Sequence, residues 1–500
     1  MKQSTWDVKA YLAILARHGD RTCFIHEEGR ATSYRQLLDA VEWNAAALRK
    51  AGCASQEGDS NHASVAFDVW LGWRAVPLLL AIFLEGLTAV PVDPVRSPAQ
   101  CRRILGSVRP ALYLRDEQLD EQGKLLLPAS SHFGNKHGYY DLQHADSSLA
   151  AGIAMLLFTS GTGGQPKGVM LSYRNIGGNL AGVLDYFRLG PEDRLVMVRS
   201  LAHASAITGE LLPALYHGSS ILLRAHERGP LAIVRSVQEH DGTILCTTPS
   251  VAAALAGRAS RYDTDTLRRI VLSGELLLPA HVDRIRRGFP EATLSNAYGL
   301  TEASPRVSCL LDIAQSESLA CVGKPITGVQ IRIEPPENTV TAASMGANTG
   351  VLWVSGPGVM AGYLDDKEAT DIRLRDGWLC TQDLASWQNG ELHVYGRADD
   401  MLIRSGMNVH PAEVESWLTG IEGILEAMVF GTSTPQGTRI VAWVVAEPGM
   451  EAKEIYRLLL RGERDERLWP DELELKSELP KTPSGKISRP ARPFIQEREV

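Results

Sequence analysis

The run Phe158-Thr159-Ser160-Gly161-Thr162-Gly163-Gly164-Gln165-Pro166-Lys167-Gly168 holds four glycines, three hydroxyls and one lysine. That is a donor set for a polyphosphate. Backbone N–H groups can reach an anion where side chains are absent, and hydroxyls and an ammonium add further donors. Two common phosphate loops fail on this stretch. Counted from Gly161, Pro166 takes the second glycine position of a Walker loop and Gly168 its Ser/Thr position. In a dinucleotide fingerprint begun at Gly161-x-Gly163, Pro166 replaces the last glycine. A generic glycine loop can also be a plain surface turn.

Four further stretches could do chemistry. Asn296-Ala297-Tyr298-Gly299-Leu300-Thr301-Glu302 ends in a hydroxyl and a hard carboxylate; alone, Thr-Glu could be a helix cap. Gly377-Trp378-Leu379-Cys380-Thr381-Gln382-Asp383 offers an acid in a turn. From Gly396-Arg397-Ala398-Asp399 to His410-Pro411-Ala412-Glu413 the chain reads as a hairpin, then a helix started by Pro411. Leu479-Pro480-Lys481-Thr482-Pro483-Ser484-Gly485-Lys486 sets a lysine in a Gly/Ser/Pro loop, where lysines are ordinarily just solvated.

In this order the motifs resemble those of the acyl-adenylate-forming enzymes: acyl- and aryl-CoA synthetases, adenylation domains and luciferases. The resemblance runs from about Thr22 to Arg489. It implies that Thr159, Ser160, Gly161, Thr162, Gly163, Gly164 and Lys167 hold the phosphates of ATP. Asn296, Ala297 and Tyr298 would pack on adenine, while Gly274 and Glu275 line the adenine and acyl pockets. Thr301 would contact the α-phosphate and Glu302 would bind Mg²⁺. Asp383 and Arg397 would take the ribose, Asp399 would be a hinge, and Gly406 would line a channel for a pantetheine thiol. Lys486 would be the adenylation lysine. The activity implied is formation of an acyl-AMP and pyrophosphate from a carboxylic acid, then transfer to coenzyme A or to the phosphopantetheine of an acyl carrier protein. Rival readings are an enzyme that stops at the adenylate or makes an amide or ester, and a non-catalytic nucleotide-binding relative.

Some positions depart from the pattern. Gly163 and Gln382 stand where relatives usually carry Thr or Ser and Gly, so the loop is one hydroxyl poorer and the ribose turn less free. The stretch Ser200-Leu201-Ala202-His203-Ala204-Ser205-Ala206 lacks the acid with which amino-acid-activating relatives bind an α-amine. That resembles the acyl/aryl branch, in which His203 borders the acid pocket; the alternative is a core or surface histidine. Ala204, Ser205 and Ala206 suggest a roomy pocket. Arg306 either meets a polar substrate tail or is a surface arginine, the second being favoured.

These residues need a framework that brings them together. The chain has 500 residues, more than one core accommodates, with 44% apolar and 22% charged residues and a net charge of −8. That balance offers no nucleic-acid footprint and no basic membrane surface. The seven cysteines are scattered and odd in number, which predicts free thiols in a reducing, cytoplasmic setting. No signal peptide or membrane span is expected, and the chain is expected as a monomer or homodimer. Helical and strand-like segments alternate up to about residue 320, predicting an α/β fold with mostly parallel sheets. Short strands between Gln330 and Tyr395 predict a small β-barrel. The expected organisation is a large N-terminal domain, 1–398, of two α/β subdomains plus that barrel, and a small mobile α+β domain, 399–500. Ser130 to Ser148, with His132, His137 and His144, reads as a surface connection rather than a metal site.

Overall fold

The computed structural model describes residues 6–26, 29–53, 63–93, 98–126, 149, 151–160, 166–224, 229–335, 348–404, 407–434, 437–461, 468–481, 487 and 489. Gly161, Thr162, Gly163, Gly164, Gly406 and Lys486 lie outside the described residues, as does the 130–148 connection.

Two α/β sheets form most of the large domain. In one, Leu112–Leu114, Ser64–Asp68, Thr88–Val92 and Ile153–Ser160 run parallel, and Pro166–Ser172 and Gly362–Tyr363 complete the edge antiparallel. The other has nine strands. Its middle is the parallel series Ser220–Leu223, Arg194–Met197, Ile244–Thr247, Arg269–Ser273 and Thr293–Gly299. The strands are near-continuous apolar runs because both faces are covered. Alternation shows in where each side chain goes. Met155 and Leu157 enter one core cluster while Leu156 and Phe158 enter another. Leu195 and Met197 join the same cluster as Met155, whereas Val196 faces a third. The two sheets therefore share a central apolar layer, each contributing every second residue.

The helices are capped as their sequences dictate. Ser33 caps helix Tyr34–Lys50 in a reciprocal capping box with Gln36, as expected of Ser33. The segment Ala75–Leu84 is a buried helix feeding the strand Thr88–Val92, and no described helix is long and apolar enough to cross a membrane.

The region expected as a β-barrel is an antiparallel sheet of five strands, Gln330–Glu334, Thr349–Ser355, Leu374–Arg375, Trp378–Gln388 and Glu391–Arg397. Beyond it, the small domain has its own core. Val414 and Leu418 of helix Pro411–Thr419, Ile455 and Leu459 of helix Ala452–Arg461, and Val429 and Ala442 of the paired strands Ile424–Thr434 and Gly437–Ala446 pack together.

Between residues 161–165 and the next helix comes a strand that the sequence did not announce: Ile153–Ser160 pairs antiparallel with Pro166–Ser172 as a β-hairpin, setting Thr159 opposite Lys167 and Ser160 opposite Pro166. The helix follows that strand directly, beginning at Tyr173 and capped by Ser172. A proline is tolerated because it is the strand's first residue, where an N–H is dispensable.

Candidate active site

Two loops leave the carboxyl ends of adjacent parallel strands and meet at one cleft, where open parallel sheets carry ligands. Gly274 and Glu275 follow the strand Arg269–Ser273, and Leu300-Thr301-Glu302 follow the neighbouring Thr293–Gly299. Thr159 and Lys167, on the hairpin stem, line the same cleft, as do Asp383 and Arg397.

The Thr-Glu turn is held tightly. Leu300 N donates to Pro305 O at 2.9 Å, and a Cβ on Gly299 would sit 2.0 Å from that oxygen, so only glycine fits. Asn179, on helix Tyr173–Tyr186, donates its amide to Ala303 O at 3.1 Å and Arg306 O at 2.8 Å. The helix that follows the hairpin strand Pro166–Ser172 thus anchors the turn that carries Glu302. The Glu302 carboxylate accepts from Tyr363 Oη at 2.7 Å on Oε1, with Arg373 Nη2 4.0 Å away. Its Oε2 accepts no hydrogen bond among the described residues. Lys167 Nζ lies 3.8 Å from Asp366 Oδ2 and 5.1 Å from the centre of the Tyr363 ring.

Strand register explains how the two residues expected at the ribose come together. Asp383 and Arg397 sit directly opposite each other on neighbouring antiparallel strands. Tyr298 Oη donates to Asp383 Oδ2, and Asp383 N donates to Thr381 Oγ1 at 3.0 Å. Burial raises the Asp383 pKa against the opposing charge of Arg397. Arg397 donates to Thr381 O at 3.2 Å, to Gln382 Oε1 at 2.8 Å and, in a fork, to Asp399 Oδ1 and Oδ2 at 2.9 and 3.2 Å. Burial works to raise the Asp399 pKa, but this fork and the arginine's charge outweigh it and hold the carboxyl low. Gln382 keeps a left-handed backbone, φ 61°, the conformation a glycine would adopt there.

Other expected positions fall as follows. Asn296 is buried and spends its amide on Cys321 O, 2.9 Å, and Leu319 O, 3.3 Å, so it shapes the pocket wall through the backbone. Ala297 is buried beside it. Glu275 accepts from Ser250 N at 3.1 Å and Ser250 Oγ at 3.0 Å, at the start of helix Pro249–Ala259. His203 is half-buried and precedes the short helix Ala204–Ala206, with Ala204 and Ala206 in the main core. Arg306 is not a surface arginine: it is 2% exposed, among the largest fully buried side chains. From the small domain, Lys481, Ile487 and Arg489 line the cleft, flanking the position of Lys486. Sequence reasoning missed Tyr363, Asp366 and Arg373. Nothing in their local sequence marks them, since they reach the site from a strand edge and helix Lys367–Arg373 through tertiary packing.

A family model described as "AMP-binding enzyme" matches residues 13–364, and one described as "AMP-binding enzyme C-terminal domain" matches residues 413–486. The chain belongs to the AMP-binding enzyme family. A feruloyl-CoA synthase from Amycolatopsis sp is 31% identical over 345 residues, 67% of this chain and 68% of that protein. A 3-[(3aS,4S,7aS)-7a-methyl-1,5-dioxo-octahydro-1H-inden-4-yl]propanoyl:CoA ligase from Mycobacterium tuberculosis is 28% identical over 503 residues, 94% of this chain and 95% of the relative. Among solved structures, the amide bond synthetase McbA from Marinactinospora thermotolerans superposes with a TM-score of 0.74 at 25% identity, covering 96% of this chain and 98% of that one. As an AMP-binding enzyme, the protein is an adenylating enzyme of the acid–thiol ligase type, with the large and small domains of the acyl-adenylate-forming fold.

Proposed function

We propose that the protein activates a carboxylic acid lacking an α-amine, fatty or aryl, as its acyl-AMP and then passes the acyl group to a pantetheine thiol. The observation that carries this reading is the convergence on one cleft of Lys167, the Thr301–Glu302 turn, the Asp383–Arg397 pair and the small-domain residues on either side of Lys486.

A carboxylate is a poor electrophile because its leaving group would be oxide. Attack of its oxygen on the α-phosphorus of ATP forms the mixed anhydride and breaks the bond to pyrophosphate. Two anions must meet, so the site supplies cations and N–H donors fixed in advance. Lys167 and the hairpin tip would hold the phosphates, Thr301 the α-phosphate, and Asp383 and Arg397 the ribose. Glu302, one hard carboxylate with an oxygen not hydrogen-bonded among the described residues, fits Mg²⁺, which binds through one or two carboxylates plus substrate phosphates. Bound there, Mg²⁺ would offset charge on the phosphate oxygens. Lys486 would reach the carboxylate and α-phosphate from the small domain, so domain position completes the site. We assign the boundary at Asp399, with 1–398 as the large domain and 399–500 as the lid, and place the thiol channel at Gly406.

Support for an acid without an amine comes from the absence of an acidic residue in 200–206 and from two relatives named for such acids. Likeness to an amide bond synthetase keeps an amine acceptor as the second reading. Lys486→Ala is expected to slow ATP–pyrophosphate exchange on the order of 100- to 1000-fold, while thioester formation from supplied acyl-AMP is largely kept. Exchange at the wild-type rate would rule out this role. Thiol-dependent release of AMP separates the thiol acceptor from the amine.

A further inference from the structure

Behind the cleft lies a cluster of buried charges that the chemistry above does not use. Arg199, Glu210 and Arg306 are each 6% exposed or less. Arg199 Nη1 contacts Glu210 Oε1 at 2.5 Å, and its Nη2 donates to Ser273 O at 2.8 Å. Arg306 donates its Nε–H to Tyr186 Oη at 3.0 Å. Its two terminal NH₂ groups have no hydrogen-bond partner among the described residues, and a Cβ on Gly209 would lie 3.2 Å from one of them. Glu210 Oε2 is occluded and has no hydrogen-bond partner among the described residues.

Three segments enclose this cluster, and each runs into a proposed site residue. Arg199 is tied to the carbonyl just before Gly274. Glu210 belongs to the π-helical turn Ile207–Leu211, which follows His203. Arg306 follows the Thr301–Glu302 turn, whose Ser304 carbonyl accepts from Thr208 Oγ1. The cluster is therefore joined through short stretches of backbone to three segments that carry proposed site residues. Two guanidiniums face one carboxylate, so among the described residues one positive charge is uncompensated. Arginine stays protonated, and buried N–H donors without acceptors are costly enough that each calls for a partner.

We infer that Arg306 binds the far end of the acid substrate, which carries a second oxygen able to accept hydrogen bonds: a hydroxyl, carbonyl or carboxylate remote from the reacting carboxyl group. This rests on the acid-activating reading above and narrows it to a substrate class. A hydrocarbon tail would leave the Arg306 donors unpaired, and sites built to hydrogen-bond a substrate group discriminate strongly against analogues lacking it.

The test uses the full chain and two scaffolds, hexanoic acid and 3-phenylpropanoic acid, each unsubstituted or bearing a distal hydroxyl, ketone or carboxyl group. The readouts are kcat/KM in ATP–pyrophosphate exchange and the thermal shift each acid produces in the presence of AMP. At least one oxygen-bearing acid should exceed its parent by roughly 100-fold or more in the wild type. Which group wins identifies the oxygen. Arg306→Met should collapse that ratio to within about threefold, and Arg306→Lys should retain part of it. A folded Arg306→Met with the wild-type ratio, or a wild type that prefers the parent acids, overturns the inference and leaves Arg306 a structural residue. If Arg306→Met does not fold, Tyr186→Phe, which releases the Nε–H, should lower the ratio about tenfold; an unchanged ratio overturns it. If no acid supports exchange, the acid-activating reading fails, and the thermal shifts alone then decide. Larger shifts with oxygen-bearing acids that vanish in Arg306→Met sustain the Arg306 assignment, and equal shifts sink it.

Discussion

Gln382 is a side chain in a backbone conformation that disfavours side chains. It keeps φ at 61°, and its Oε1 accepts from both Arg373 and Arg397. Left-handed backbone costs a non-glycine residue about 1 kcal/mol, while each hydrogen bond to a charged group returns about 1.5–3 kcal/mol. The bonds win, which explains a glutamine where glycine is usual. Gln382→Ala, keeping the strain and losing both bonds, should lower stability by about 3 kcal/mol and raise the KM for ATP; Gln382→Gly should recover about 1 kcal/mol of the stability but not the KM. Thermal midpoints and ATP kinetics check this, and a Gly variant with wild-type KM would refute it. Residue types at fixed spacing made Thr301, Glu302, Asp383 and Arg397 legible in the sequence. Depth was not: an arginine after a proline reads the same on a surface or in a core, and only packing against Gly209 and Tyr186 distinguishes the two at Arg306.

At the level of elements, strands buried on both faces announced themselves as apolar runs, and Ile153–Ser160 and Ser220–Leu223 lie where those runs do. The return strand Pro166–Ser172 was hidden because its first residues belong to the glycine-rich motif and its apolar residues run straight into a helix cap. The N-terminus of the following helix is therefore separated from residues 161–165 by that strand. Helix Pro279–Gly288 holds a pH-sensitive residue. Burial lowers His281 to about 4. The unfolded chain, with an ordinary histidine pKa, binds the proton first, so His281 contributes stability above pH 6.5 that is lost as pH falls toward 4. The cost at pH 5 is on the order of 2 kcal/mol. The drop in thermal midpoint between pH 7.5 and pH 5 should therefore be smaller in His281→Gln than in the wild type; equal drops would exclude the assignment.

Across the whole molecule, the same helix bridges the domains. Arg284 donates to Ile424 O at 2.7 Å and Leu425 O at 2.8 Å of the small domain. In this arrangement the flanks of the Lys486 loop face the cleft, as adenylation would need. Arg284→Ala should therefore slow pyrophosphate exchange about tenfold, as loss of two hydrogen bonds would, and spare thioester formation from supplied acyl-AMP. Equal slowing of both half-reactions would contradict it. Domain count and order were readable from length and from the change in strand pattern; the contact between domains was not, because it is made by a side chain on backbone carbonyls. A last consequence follows from the contacts around Gln382. Glu302, Arg373, Gln382, Arg397 and Asp399 form one chain of neighbours from the proposed metal carboxylate to the proposed hinge. If the small domain turns at Asp399 as proposed, occupancy of the phosphate end and the posture of that domain become linked equilibria. Whatever free energy the nucleotide spends in moving the lid, the lid returns as a change in nucleotide affinity, so pyrophosphate departure would itself be a signal to turn.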